Sequence, residues 1–219
     1  MPPCHAPLVK LQRLAEHRSM PWANGRGTTL EIVAFPAPDA WTWRLSLATV
    51  ADDGPFSSLP GVGRFIAVAE GAGMVLTVDG VEHRLAKFDA MAFSGDAATV
   101  CALIDGPIRD LNLMVRGDGP APDAGELRVE RIGRGTTVKA AGSVAVVVLD
   151  GAIAVSTPSP GFPGTPVRER AGRFDAFLLE RADGERGVAS GNAHAHTYAR
   201  LGSVATAVVD SVVAFVSVR

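Results

Sequence analysis

Nearly every apolar run in this chain is short, about four to eight residues, and ends at Gly, Pro or an Asx-Gly pair. Amphipathic helices need longer periodic stretches, whereas half-buried strands do not. The 24 Gly and 15 Pro among 219 residues supply turns at close intervals. The expectation is an all-β protein with few helices, its short, near-regularly spaced strands forming a barrel or sandwich.

The strands expected in the first half are residues 28–34, 41–50, 65–69, 74–78, 81–85, 90–93, 99–103 and 110–116. Pro36 and Pro38 end the first of these, because proline cannot continue a ladder. Asp79-Gly80 sits between two of them and suits the positive φ angles of a two-residue hairpin turn. Residues 8–17 carry Leu8, Leu11 and Leu14 at helical spacing but are short enough to be a strand, and both readings stay open. Residues 117–123, Gly-Asp-Gly-Pro-Ala-Pro-Asp, are the most linker-like segment. They divide the chain into residues 1–118 and 119–219. Beyond them strands are expected at 144–149, 152–156, 167–169, 176–179, 204–209 and 212–218. The segment Lys87-Phe88-Asp89-Ala90-Met91-Ala92-Phe93 returns as Arg173-Phe174-Asp175-Ala176-Phe177-Leu178-Leu179, each time after a Gly-bearing turn, which favours an internal duplication.

Charge excludes some functions. A net charge of −2, with 20% charged and 47% hydrophobic residues, describes a water-soluble globular chain with no basic surface for nucleic acid. No run reaches the roughly 18 apolar residues of a membrane span, and the N-terminus lacks signal-peptide blocks. The expected location is the cytoplasm. Cys4 and Cys101 show no metal or redox spacing, and Cys101 lies in an apolar run as a small core residue.

The unusual polar chemistry is concentrated between Met20 and Phe65. In Asn24-Gly25-Arg26-Gly27-Thr28-Thr29, glycines free the backbone N–H groups to face an anion, yet the segment enters a strand and has no P-loop Lys. On spacing alone a plain glycine-rich turn entering a strand is the stronger reading. In residues 41–50, alternation puts Trp41, Trp43, Leu45 and Leu47 on one face and Thr42, Arg44, Ser46 and Ala48 on the other. The polar face points either to solvent or into a cavity. If inward, Arg44 needs a carboxylate, from Glu31 or from a ligand. Arg64, Asp96 and Asn112 gain meaning only as part of a set, while Arg109 and Asp110 read as paired or solvated residues. His194 and His196 share a strand face, but the further ligands a metal site requires do not follow, so no metal and no cofactor are assigned.

Several segments resemble the HutD/Ves family in the family's own order. They are Pro21-Trp22-Ala23-Asn24-Gly25-Arg26-Gly27-Thr28-Thr29-Leu30-Glu31-Ile32, Trp43-Arg44-Leu45-Ser46-Leu47-Ala48, Gly54-Pro55-Phe56-Ser57, Pro60-Gly61, Phe93-Ser94-Gly95-Asp96 and Asp110-Leu111-Asn112-Leu113-Met114. The resemblance covers roughly residues 8–116 and rests on pattern alone afterwards. It implies a bicupin, with a cupin lobe in each half, the second mainly structural. It also implies a cytosolic bacterial protein of histidine utilisation that binds an acidic intermediate such as formylglutamate, or urocanate, and restrains the pathway without catalysing a step. The related Ves proteins are described only as stress-induced. On this reading Arg44 and Arg64 hold carboxylates. Asn24, Thr28, Ser46 and Ser57 supply neutral hydrogen bonds, and Glu31 or Asp96 orients the arginines or meets a ligand amine. Two departures stand out: Arg26 replaces a third glycine, and Gly63 replaces an acidic residue before Arg64. The partner expected is a small anionic ligand, neither nucleic acid nor membrane, with a homodimer left open. Two other classes compete with this one. A metal-dependent or metal-free cupin enzyme acting on a small carboxylate would draw on His194 and His196, and a purely structural protein would use its strand edges for assembly.

Overall fold

Short strands with one apolar face need a second sheet to cover them, and the fold answers with four sheets stacked face to face. The computed structural model describes residues 9–22, 27–117, 124–140, 142–157, 167–179 and 204–218. In chain order the strands are β1 Val9–Gln12, β2 Arg18–Pro21, β3 Gly27–Phe35, β4 Trp43–Val50, β5 Gly54–Pro55, β6 Val62–Glu70, β7 Met74–Val78, β8 Val81–Leu85, β9 Ala90–Ser94, β10 Thr99–Leu103 and β11 Ile108–Arg116. They continue as β12 Gly125–Ile132, β13 Thr137–Lys139, β14 Ala145–Asp150, β15 Ile153–Thr157, β16 Val167–Ala171, β17 Ala176–Leu179, β18 Val204–Ala207 and β19 Ser211–Val218. A 3-10 turn at Leu14–Glu16 separates β1 from β2, so residues 8–17 hold both a strand and a turn. Among the described residues no helix is long and apolar enough to cross a membrane.

The two large sheets have the orders β2-β3-β4-β11-β6-β9 and β1-β17-β14-β19-β12. They press together through a core that includes Trp43, Leu45, Leu47, Phe65, Leu111 and Leu113 from one and Ala145, Val147, Leu149, Phe174 and Ala214 from the other. The outer face of each large sheet meets a four-stranded sheet. One has the order β5-β10-β7-β8, with Ile66, Val68, Met74, Leu76 and Cys101 between the layers. The other has the order β13-β18-β15-β16, with Val146, Val148, Ile153, Phe177, Val213 and Phe215 between them. Among the described residues these are open ladders rather than closed barrels. All pairings are antiparallel. Residues 9–12 pair with β17, so the start of the chain lies in a sheet otherwise built from residues 125–218.

The repeated segment folds the same way twice. Phe88 and Phe174 both take positive φ, 76° and 64°, a conformation that a bulky side chain rarely adopts. The Phe88 N–H donates to Val68 O and the Phe174 N–H to Val148 O, at 2.7 and 2.6 Å. Asp89 accepts from the Ala86 N–H as Asp175 accepts from that of Gly172. A register shift follows each: Val68 pairs with Asp110 beside one, and Val148 pairs with Val213 beside the other. Near each shift is a glycine of positive φ, Gly71 or Gly151, where a Cβ would run into the backbone of the neighbouring strand.

Candidate functional site

Because Leu45 and Leu47 are committed to the central core, strand alternation turns Arg44 and Ser46 the other way, toward the β5-β10-β7-β8 sheet. The register then fixes their neighbours. One row across the large sheet reads Met20, Thr29, Ala48, Asp110, Val68. The next reads Arg18, Glu31, Ser46, Asn112, Ile66, Met91. The third reads Ala34, Arg44, Met114, Arg64, Phe93. Arg44 and Arg64 thus flank Met114 on one face, about 10 Å apart at two strand spacings.

Thr29, Glu31, Ser46, Arg64, Asp110 and Asn112 are all buried, a density of polar groups that an ordinary core would not carry. Glu31 is shared by two cations: Arg18 Nη2 lies 2.8 Å from one oxygen and Arg44 Nε 3.7 Å from the other. The second contact is an electrostatic one, too long for a hydrogen bond, so Arg44 Nε and Glu31 Oε2 are buried without hydrogen-bond partners.

Arg64 is arranged differently. It is 6% exposed and has no ion-pair partner among the described residues. Its guanidinium lies over two aromatic rings, 4.9 Å from the Phe56 centroid and 5.1 Å from that of Phe93. Its Nη2 donates to Asn112 Oδ1 at 3.3 Å, and its Nε–H is buried with no acceptor. Burial pushes its pKa down, and the field of Asp110 pushes it back up. Asn112 Nδ2 donates in turn to Asp110 Oδ1, completing a chain from Arg64 through Asn112 to Asp110. Burial pushes the Asp110 carboxyl up to about 7, against the pull of Arg64, Asn112 and the Ala48 backbone. Burial also carries the nearby Cys101 thiol to about 12, so it stays neutral.

The expected residues fall into three groups. Glu31, Arg44, Ser46 and Arg64 share this face. Thr28 does not: it pairs with Thr49, on the opposite face from Glu31, and Thr29 occupies the inward position, accepting from Trp22 Nε1 at 2.9 Å. Ser57 and Asp96 are exposed. Asp96 accepts from Ser94 Oγ and the Gly61 N–H and so shapes the turn rather than meeting an arginine. Phe56, next to Ser57, is the residue that reaches Arg64. Asn24, Arg26, His194 and His196 lie outside the described residues. Asp110, read from sequence as paired or solvated, is instead 1% exposed with no ion pair among the described residues, because its strand is covered on both faces.

The HutD family model matches residues 14–197. An uncharacterised 21.2 kDa protein from the hutC 3′ region of Pseudomonas putida is 44% identical over 109 residues, 48% of this chain and 57% of that protein. Protein Ves of Citrobacter koseri is 40% identical over 107 residues, 46% of this chain and 56% of that protein. The chain therefore matches a little over half the length of these curated relatives. Among solved structures, HutD from Pseudomonas fluorescens SBW25 superposes with a TM-score of 0.68 at 28% identity, covering 97% of this chain and all of the other. A cupin 2 conserved barrel domain protein from Leptotrichia buccalis, 11% identical, covers 96% of both chains with a TM-score of 0.57 and supports a cupin-like fold alone.

Proposed function

This chain belongs to the HutD family, and from that premise we propose that it is a non-catalytic, regulatory small-molecule-binding bicupin whose first half takes an acidic intermediate of histidine utilisation, formylglutamate- or urocanate-like. The observation that carries the reading is Arg64, a buried guanidinium with no direct ion-pair partner among the described residues, reached by Asp110 only through Asn112, and with an Nε–H without an acceptor. A buried cation of this kind is costly unless an anion completes it.

The geometry also supports a shape for that anion. Phe56 and Phe93 both lie against the guanidinium, and its Nε–H is left without an acceptor for an incoming oxygen to meet. A planar carboxylate meets a guanidinium edge-on through two parallel hydrogen bonds. Arg44, on the far side of Met114, stands where a second acidic group of a short ligand would reach. Ser46 and Asn112, in the adjoining row, supply neutral donors between them. The regulatory role and a cytoplasmic location extend the family resemblance to this chain, with the ligand, rather than nucleic acid or membrane, as partner.

Calorimetric titration of formylglutamate and urocanate into the purified protein tests this. The wild type should bind one of them, and Arg64→Ala should lose at least about 2 kcal/mol of binding, the usual result of truncating one side of a buried charge pair. Unchanged binding in a folded Arg64→Ala protein would falsify the assignment.

A further inference from the structure

We propose that the site takes up its anion together with one proton, which Asp110 carries and Asn112 links to Arg64; this rests on the reading of Arg64 as an anion receptor. The geometry is that of a single amide held between a cation and a carboxyl group. Asn112 turns its Nδ2 to Asp110 and its Oδ1 to Arg64, so both ends of the side chain are used. The Asp110 carboxyl group is 1% exposed and has no ion-pair partner among the described residues.

The groups around Asp110 leave it one compensating charge. From β6 the cation is Arg64. From β4 it meets Ala48, whose backbone N–H it accepts, with neutral Ser46 one row away. From β3 come Thr29 in its own row and Glu31 in the next, the latter already shared by Arg18 and Arg44. From β10 comes the neutral Cys101 thiol, which also feels Asp53. On its own strand it has Asn112.

Burial alone raises the carboxyl group toward neutrality, and Arg64 holds it back down. An anion seated on Arg64 cancels that restraint and adds a negative charge nearby. The ionised form of Asp110 then loses the one cation that acts on it among the described residues, and a proton from solvent settles on a carboxylate oxygen. The other carboxyl oxygen continues to accept from Asn112. No covalent bond other than O–H forms, and nothing is oxidised or reduced. The sign follows from linkage: if binding raises the Asp110 pKa, affinity weakens as pH rises above neutrality, by up to about tenfold per pH unit. The buried His17, whose pKa is lowered, titrates below this window.

Formylglutamate is the probe, because its carboxylates stay ionised across the range. Titrated calorimetrically into the full chain from about pH 7 to about pH 9, in phosphate and in Tris, it should release heats that differ by the buffer ionisation of about one proton. Asp110→Asn keeps an acceptor for Asn112 but cannot titrate, so binding should persist with no pH slope and no buffer dependence. Equal heats in the two buffers together with pH-independent affinity would overturn the proposal, as would an Asp110→Asn protein that retains the wild-type slope. Should that variant fail to fold, the two-buffer comparison on the wild type decides alone. Failure of the wild type to bind formylglutamate at any pH would overturn the underlying reading of Arg64 and the proton coupling with it.

Discussion

Arg64 sets two effects of opposite sign against each other. Two neighbouring rings contribute about 1 kcal/mol each as cation–π contacts, and one long hydrogen bond to Asn112 adds about 1 kcal/mol. Against these stands the desolvation of a cation with no direct carboxylate partner among the described residues, several kcal/mol even after relaxation. Arg64→Met sets against Phe56 and Phe93 a flexible thioether that suits aromatic neighbours. At about pH 6, where Asp110 is held protonated, this variant should gain about 1 kcal/mol in urea unfolding while losing ligand binding. A loss of stability would mean that Arg64 is already satisfied without a ligand. The same residues mark how far the sequence could be read. Alternation put Arg44 and Ser46 on one face, but a polar face on an antiparallel strand usually meets water. Only the β5-β10-β7-β8 layer makes that face an interior, and no single strand announces it. Asp110 was misread for the same reason, although Asp110 and Asn112 alternate visibly with Leu111 and Leu113. Thr28 missed by one position, and in a strand one position changes the face.

At the scale of elements, the repeated Phe-Asp turn does different work in its two copies. Asp175 accepts from the N–H groups of Leu14 and Gly172 and from Arg13 Nη1, at 2.9, 3.0 and 2.9 Å. Burial pushes its carboxyl up, but the Gly172 and Leu14 N–H groups and Arg13 outweigh burial and hold it below the usual carboxylate range. Asp175 thereby fastens the crossing from β1, in one large sheet, to β2, in the other, and β2 delivers Arg18 to Glu31. Asp89, exposed, accepts among the described residues only from the Ala86 N–H. Asp175→Ala should therefore cost about 2–3 kcal/mol, and Asp89→Ala under about 1 kcal/mol, as measured by denaturant midpoints at constant slope. Equal costs would show that the N-terminal crossing is not held at this point. The repeat was legible because Phe-Asp-Ala recurs literally. The crossing was not, since nothing in Val9–Gln12 names β17 as its partner. Residues 125–132 went unread as a strand although Glu126, Arg128 and Glu130 alternate with Leu127 and Val129, the half-buried pattern of an edge strand.

Over the whole molecule, superposing the two register shifts turns the duplication into an asymmetry. Asp110 beside Val68 corresponds to Val213 beside Val148, and two residues on, Asn112 corresponds to Phe215. Val213 and Phe215 lie in an apolar core with Val146, Val148, Ile153 and Phe177, and the buried carboxyl and guanidinium groups among the described residues do not include one on β14 or β19. Arg128, which crosses from β12 to stack on Phe215, already pairs with Glu130. The second half has thus filled with hydrocarbon the places where the first half keeps ionisable groups. Two consequences follow. Formylglutamate should bind at one site per chain, and its protection against hydrogen exchange should fall on β3, β4, β6 and β11 while β12, β14 and β19 stay unchanged. Exchanging the chemistry should also be unequal. Val213→Asp places an unpaired charge in hydrocarbon and should cost about 3–5 kcal/mol, whereas Asp110→Val relieves a buried carboxyl but leaves the Asn112 amide without its acceptor and should cost less, about 1–2 kcal/mol. Two binding sites per chain, or equal costs for the two exchanges, would mean that the second half retains a polar interior and that the asymmetry is not functional.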